Sequence, residues 1–312
     1  MTAVDLTTRF GALTLRNPIL TASGTFGYGK EFAELTDLGR LGGLVTKGIS
    51  PRPRYGNPLP RMCETASGMI NSIGLENVGV AGFREEKAPY LAGVDTTVVV
   101  NFFGETFDEY VECAAGLDQV ARSVGGVDAL EMNISCPNVK KGGLEFGTNP
   151  AVAGRLVAAC RAVTSLPLWV KLTPNITDVV AMARAVVEAG ADGLSLINTL
   201  TAMGIDIRTR RPRVATVYGG QSGPAIKPIA LRMVHQVASA RLGVPICGIG
   251  GISCASDVAE FLIAGADAVQ IGTQNFADPD CAARMVGELE SLAAELGVTR
   301  VGDLVGTLRT AR

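Results

Sequence analysis

The feature that most constrains this chain is a rhythm. Short β-branched, apolar runs recur along it, separated by longer Ala-, Leu- and Val-rich stretches with helical spacing. Eight such runs occur, over residues 19–23, 43–49, 98–102, 129–135, 168–172, 193–198, 246–249 and 268–272. Stretches between them, such as 179–189 before Gly190 and 258–263 before Gly265, close on a glycine suited to stop a helix. This alternation predicts parallel strands joined by crossover helices. An open doubly wound sheet would carry Gly-x-Gly-x-x-Gly after its first strand and an acidic residue about twenty positions on. Ser23-Gly24-Thr25-Phe26-Gly27 does not match it. Eight units within 312 residues predict instead an α/β fold, the closed (β/α)8 TIM barrel, as a single domain over 1–312 with its active site at the C-terminal ends of the strands.

Ahead of the first strand, residues 4–10 and 12–15 flank Gly11 and read as a small N-terminal β-hairpin covering the bottom of the barrel. Two βα connections are long, 50–77 and 199–227, the second with Arg208, Arg210, Arg211 and Arg213. Long βα loops over the C-terminal face are expected to act as lids or binding surfaces.

Composition narrows the function classes. With 47% hydrophobic and 19% charged residues the chain is suited to a large core. A net charge of -2 offers no basic field for nucleic acid or anionic lipid, so neither is an expected partner. No apolar run approaches the ~18 residues of a membrane span. The first residues lack the charged-then-apolar order of a signal peptide, and a cytoplasmic protein is expected. The 7 cysteines, at 63, 113, 136, 160, 247, 254 and 281, contain no Cys-x-x-Cys pair, which argues against a disulfide scaffold and against a metal or cluster held by this chain alone.

The runs end in polar residues. Lys47, Asn101, Asn133, Lys171 and Asn198 with Thr199 fall at successive strand ends, where a barrel enzyme does its chemistry. Each alone reads equally well as a solvent-facing strand end. Together they make a ring of amides and two cations with no carboxylate pair and no metal-ligand set. Such a ring suits a flat, anionic, hydrogen-bonding ligand. The last two strands carry glycine instead, in Gly248-Ile249-Gly250-Gly251-Ile252 and Ile271-Gly272-Thr273. Glycines there serve tight turns, and this pair of loops is also where barrels bind phosphate. A phosphate at one side and an amide-lined ring at the other suggest a phosphorylated planar cofactor such as FMN.

The sole histidine, His235, lies in a helix-spaced stretch on the outer ring and reads as structural. Cys136, just past the fourth strand and followed by Pro137, is the best proton acceptor, provided its surroundings lower its pKa. Cys160, Cys247 and Cys281 read as buried apolar cysteines.

Asn133-Ile134-Ser135-Cys136-Pro137-Asn138-Val139-Lys140, followed by Gly142-Gly143, resembles the signature of the class 1 dihydroorotate dehydrogenases. The similarity continues through Lys47-Gly48, Asn71-Ser72-Ile73-Gly74-Leu75, Lys171-Leu172-Thr173-Pro174-Asn175, Asn198-Thr199 and Gly219-Gly220-Gln221-Ser222-Gly223-Pro224, covering nearly the whole chain. The resemblance implies one FMN per chain, held by Ser23, Lys47, Gly48, Asn101, Asn133, Lys171, Ile197, Gly223, Gly250, Gly251, Gly272 and Thr273. It implies substrate contacts from Lys47, Asn71, Ser72, Ile73, Gly74, Leu75, Asn133, Asn198 and Thr199. It further implies that Cys136 takes the proton from C5 of (S)-dihydroorotate while hydride passes from C6 to flavin N5, giving orotate for de novo pyrimidine (UMP) synthesis. Lys47 and Lys171 complete the catalytic set, Lys171 by stabilising negative charge on the reduced ring.

A serine base would suggest the membrane-linked class 2. Val139-Lys140-Lys141-Gly142-Gly143 and Asn198-Thr199-Leu200-Thr201-Ala202 are more similar to type 1B. In that type a homodimer forms the core of a heterotetramer, and electrons pass to a partner subunit carrying FAD and a [2Fe-2S] cluster, then to NAD+. Two positions depart from the pattern: Ser72, where alanine is frequent, and Phe102-Phe103 after Asn101, where smaller residues are usual. Three other readings remain open: the fumarate-using type 1A, a pyrimidine reductase like that of dihydropyrimidine dehydrogenase, and a non-catalytic flavin-binding subunit.

Overall fold

The structure, a computed structural model, describes residues 4–135 and 146–310. Cys136, the sequence candidate for the base, lies outside the described residues. The chain enters through an antiparallel hairpin, β1 (Thr8–Phe10) and β2 (Leu13–Leu15), and starts the barrel with β3 (Ile19–Thr21) and β4 (Gly43–Val45). The long connection after β4 contains β5 (Met62–Thr65) and β6 (Gly68–Asn71). Barrel strands β7 (Thr97–Phe102), β8 (Ala129–Asn133), β9 (Leu168–Leu172) and β10 (Gly193–Leu196) follow. The second long connection holds β11 (Leu200–Ala202), β12 (Ile205–Asp206), β13 (Arg211–Pro212) and β14 (Gly219–Ser222). The barrel ends with β15 (Ile246–Ile249) and β16 (Ala268–Ile271).

Eight strands close in the order β10-β15-β16-β3-β4-β7-β8-β9, so neighbours in sequence are neighbours around the barrel. All eight expected strands are present. Several stop short of the apolar run that announced them. The second ends at Val45, because the Lys47 N–H turns away from the neighbouring strand to the Gly27 carbonyl, 2.8 Å away. The sixth ends at Leu196, with the Asn198 N–H bonded across to the Leu172 carbonyl at 3.0 Å.

Alternate residues point in and out. Outward, Val98, Val100, Phe102, Leu130 and Met132 belong to the core shared with the helices. Inward, Leu20, Val45, Val99, Ala129, Trp169, Cys247 and Ala268 form one apolar layer with Phe10 and Leu15 of the hairpin. The hairpin thus plugs the bottom of the barrel, as the sequence suggests, and the Phe10 and Trp169 ring centroids lie 4.3 Å apart. At the same end, three aspartates at strand starts tie adjacent strands together. Asp128, Asp192 and Asp267 accept the backbone N–H of Val98, Leu168 and Ile246 at 2.7, 2.9 and 2.8 Å.

The two long connections cooperate. β11, β14, β6 and β5 form a four-stranded antiparallel sheet, with Gly220 opposite Asn71 and Gln221 opposite Ile70. The Asn198 and Thr199 that end the sixth run lead directly into β11.

Phe10 is fully buried, so Phe10→Ala is expected to cost about 3–5 kcal/mol in denaturant unfolding, and a loss below about 1 kcal/mol would contradict the plug. Asp118 gives a pH-dependent case. Burial alone would raise its pKa, but hydrogen bonds from the Ser165 N–H and the Thr164 hydroxyl, both at 2.8 Å, and the Arg122 guanidinium hold it below the ordinary value. A lowered folded pKa contributes stability above the unfolded pKa of about 3.9, and that contribution is lost as pH falls through the folded value. Asp118→Asn is therefore expected to destabilise at neutral pH, with the gap from wild type narrowing below about pH 4. A gap unchanged down to about pH 2 would contradict it.

Candidate active site

Two residues above the apolar layer, the inward positions become polar. Asn101 and Glu131 are register partners on β7 and β8, as are Asn133 and Lys171 on β8 and β9. They are not solvent-facing strand ends: Asn101 is 1%, Asn133 9% and Lys171 5% exposed. Asn133 is held from three sides. Its side-chain oxygen accepts from Asn198 Nδ2 at 3.2 Å and from the Ser135 N–H at 3.1 Å, and its carbonyl accepts from the Tyr110 hydroxyl at 2.8 Å. The Ser135 hydroxyl donates to the Lys171 carbonyl at 3.1 Å. Lys47 is half-buried, and its ammonium has no hydrogen bond or ion pair to a described residue.

The sequence reading missed what lies beneath. Glu131 is fully buried, accepting from Asn101 Nδ2 and Gln270 Nε2 at 2.7 Å each, with Lys171 Nζ 3.6 Å away. Ser195 and Gln270, also fully buried, complete this level, and the Ser195 hydroxyl and the Gln270 carbonyl oxygen have no hydrogen-bond partner among the described residues. A signal for it existed: a glutamate and a glutamine at inward positions of otherwise apolar strands. Asn101 spends its amide N–H on Glu131 and directs its Oδ1 toward Gly48, where a Cβ would come within 2.8 Å of it.

Across the mouth, the glycine loops converge. Gly223, Gly250 and Gly251 take φ of 91°, 133° and 72°, which side chains rarely adopt. A Cβ on Gly251 would meet the Gly223 carbonyl at 2.8 Å, and one on Gly250 would lie 3.5 Å from Ile197. The Thr273 hydroxyl donates to that of Ser222 at 2.8 Å, and a Cβ on Gly272 would lie 3.5 Å from that of Ala22, next to Ser23. The two loops expected to bind phosphate are thus brought together, with Gly223 beside them.

The antiparallel sheet brings the expected substrate residues to the same mouth. Asn71 Nδ2 donates to the Gly220 carbonyl at 3.4 Å, and a Cβ on Gly220 would fall 2.0 Å from the Thr199 hydroxyl. Asn57 Nδ2 holds the Ser72 carbonyl at 2.9 Å, and the Ser72 hydroxyl is buried without a partner among the described residues. Gly74 and Leu75 turn with φ of 81° and 58°.

His235 sits on the outer helix Lys227–Ser239, its Nδ1 3.4 Å from the Ala264 carbonyl, away from the strand ends. Burial pushes the Cys160 and Cys281 thiols up to about 12 and that of Cys247 well above its ordinary value, in keeping with inert core cysteines. Among the described residues no group of His, Cys, Asp or Glu is arranged to hold a metal ion, and no helix is long and apolar enough to cross a membrane.

Two cations, an amide ring and a glycine cradle fit a planar phosphorylated cofactor: the cradle has space only where side chains are absent, and among the described residues nothing compensates the charge of Lys47. A family model described as dihydroorotate dehydrogenase matches residues 5–293. A dihydroorotate dehydrogenase B (NAD(+)), catalytic subunit, from Pelobacter propionicus is 57% identical over 304 residues, 97% of this chain and 98% of its own length. One of the same description from Geotalea daltonii is 54% identical over 309 residues, 99% of this chain and 100% of its own. The crystal structure of the Eimeria tenella DHODH in complex with ferulenol aligns with a TM-score of 0.79 at 24% identity, over 97% of this chain and 88% of that one, a likeness of fold. With the family match spanning most of its length and these relatives matching it end to end, the chain belongs to the dihydroorotate dehydrogenase family.

Proposed function

We propose that this chain is the FMN-bearing catalytic subunit of an NAD-linked dihydroorotate dehydrogenase, oxidising (S)-dihydroorotate to orotate in pyrimidine synthesis. The observation that carries the reading is the convergence of Asn133, Lys171 and Asn198 on one mouth, beside the sheet that carries Asn71 and that Thr199 leads into. The names of the relatives, each a catalytic subunit of an NAD(+) enzyme, support it.

Ser23, Gly223, Gly250, Gly251, Gly272 and Thr273 would hold the phosphate, and Lys47, Gly48, Asn101, Asn133, Lys171 and Ile197 the ring. When bound, FMN supplies the hydride acceptor. Asn71, Ser72, Ile73, Gly74, Leu75, Asn133, Asn198 and Thr199 position the pyrimidine ring, their amides matching its carbonyl and N–H edge. Lys47, with no charge partner among the described residues, answers the substrate carboxylate. Cys136, next after Ser135, removes the C5 proton as hydride leaves C6, so that C5 and C6 become doubly bonded and the thiolate becomes a thiol. Lys171, buried and cationic, stabilises negative charge developing across the mouth. The antiparallel sheet excludes water.

Among the described residues all six cysteines are free, with no pair spaced to hold a cluster. The relatives' description as catalytic subunits of an NAD(+) enzyme supports an exit for the electrons through another subunit, to which we assign FAD and a [2Fe-2S] cluster, around a homodimer core in a cytoplasmic heterotetramer. Each chain contributes one domain.

Cys136→Ala is expected to slow flavin reduction by dihydroorotate by about 10²–10⁴-fold in anaerobic rapid mixing, with FMN retained. A rate within a few-fold of wild type would contradict Cys136 as base. Orotate is expected to perturb the flavin spectrum of the wild-type protein and uracil to leave it unchanged. The reverse preference would move the protein to pyrimidine reduction, and rapid reoxidation by fumarate would move it to type 1A.

A further inference from the structure

The deepest charged group beneath the mouth has no part in the chemistry above. Glu131 lies on β8 two residues before Asn133 and is fully buried. Both its oxygens are acceptors, Oε1 from Asn101 and Oε2 from Gln270, each at 2.7 Å, the pattern of an ionised carboxylate. Its cation is Lys171, with Nζ 3.6 Å from Oε1. That separation is beyond a good hydrogen bond, yet short enough for strong coupling where water is excluded. Among the described residues the same lysine is the one buried cation in the polar level, with only 5% of its surface exposed.

Stability does not account for such a pair. Buried ion pairs seldom outperform apolar residues of similar volume, and the layer immediately below is filled by apolar residues. What the pair does is electrostatic. An unopposed lysine would present its whole charge to whatever binds above, and a carboxylate fixed on its strand by two amide donors offsets part of that field. The two donors in turn set how much negative charge remains: Gln270 gives its Nε2 to this carboxylate, and its own carbonyl oxygen has no hydrogen-bond partner among the described residues.

We propose that Glu131 is a positioning residue that tempers the positive field of Lys171 at the mouth and, with Gln270, sets the reduction potential of the bound flavin. It acts through Lys171 and Asn101 rather than by contact with the reacting atoms. The inference rests on the FMN reading of the site.

The test compares the potential of the flavin-loaded protein, and its affinity for sulfite, in wild type, Glu131→Gln and Gln270→Leu. Sulfite adds as a nucleophile to flavin N5 and leaves the ring anionic, so its affinity reads the same field without turnover. Glu131→Gln removes the opposing charge. The potential is expected to rise and sulfite to bind on the order of tenfold more tightly. Gln270→Leu strips a donor from the carboxylate and leaves its charge less neutralised, so both readouts are expected to move the opposite way. A residue that merely holds the barrel together would weaken FMN binding and lower the melting temperature in both variants, with no opposed shifts. Should Glu131→Gln not fold, Gln270→Leu decides alone, by a lowered or an unchanged potential. Flavin-loaded variants with unchanged potential and sulfite affinity would overturn the proposal. A wild-type protein that binds no flavin would overturn the functional reading itself, and the proposal with it.

Discussion

The inside of a closed eight-stranded barrel is a narrow, dry column, and a charged side chain directed into it is costly unless it finds a partner there. In this chain the column is graded. Its bottom is apolar, sealed by Phe10 and Leu15 of the hairpin against Trp169 and its neighbours. Above comes a level of paired polarity, Glu131 among Asn101, Gln270 and Lys171. The mouth carries Asn133, Asn198 and Lys47. Because each level rests on the one below, Asn133 is fixed by its strand, and Lys47 and Asn198 by backbone bonds just past the ends of theirs. That is the rigidity a hydride transfer needs, since small displacements of reacting groups cost large factors in rate.

Loops contribute in a different way. The antiparallel sheet joins segments far apart in sequence, with Asn71 opposite Gly220. The glycine at 220 is dictated by contact, for any side chain there would occupy the space of the Thr199 hydroxyl. The sheet therefore couples the residues proposed to grip the substrate to those proposed to line the cofactor. Gly223 begins where β14 ends and lies against Gly251, so closing one end of the sheet completes the other site.

Much of this was legible in the sequence, for a physical reason. A parallel barrel strand buried on both faces needs a continuous apolar run, and the runs at 129–135 and 168–172 announced β8 and β9 together with Asn133 and Lys171 at their upper ends. The same continuity hid Glu131 and Gln270. One polar residue inside an apolar run does not disturb the strand pattern, and its partners lie on other strands. The sheet above the mouth was legible only as two long loops, because its strands are three or four residues long, two of them begin with glycine, and their pairing depends on the barrel bringing them together. Lys47 and Asn198 were found at the right face although their strands stop earlier, since the bonds to Gly27 and Leu172 that end them are tertiary.

The most direct test of the account is anaerobic addition of dihydroorotate to the purified protein while the flavin absorbance is followed. The account predicts a yellow protein whose flavin band bleaches on mixing and stays bleached when NAD+ is added without a second subunit. A bound flavin that dihydroorotate leaves oxidised would contradict it.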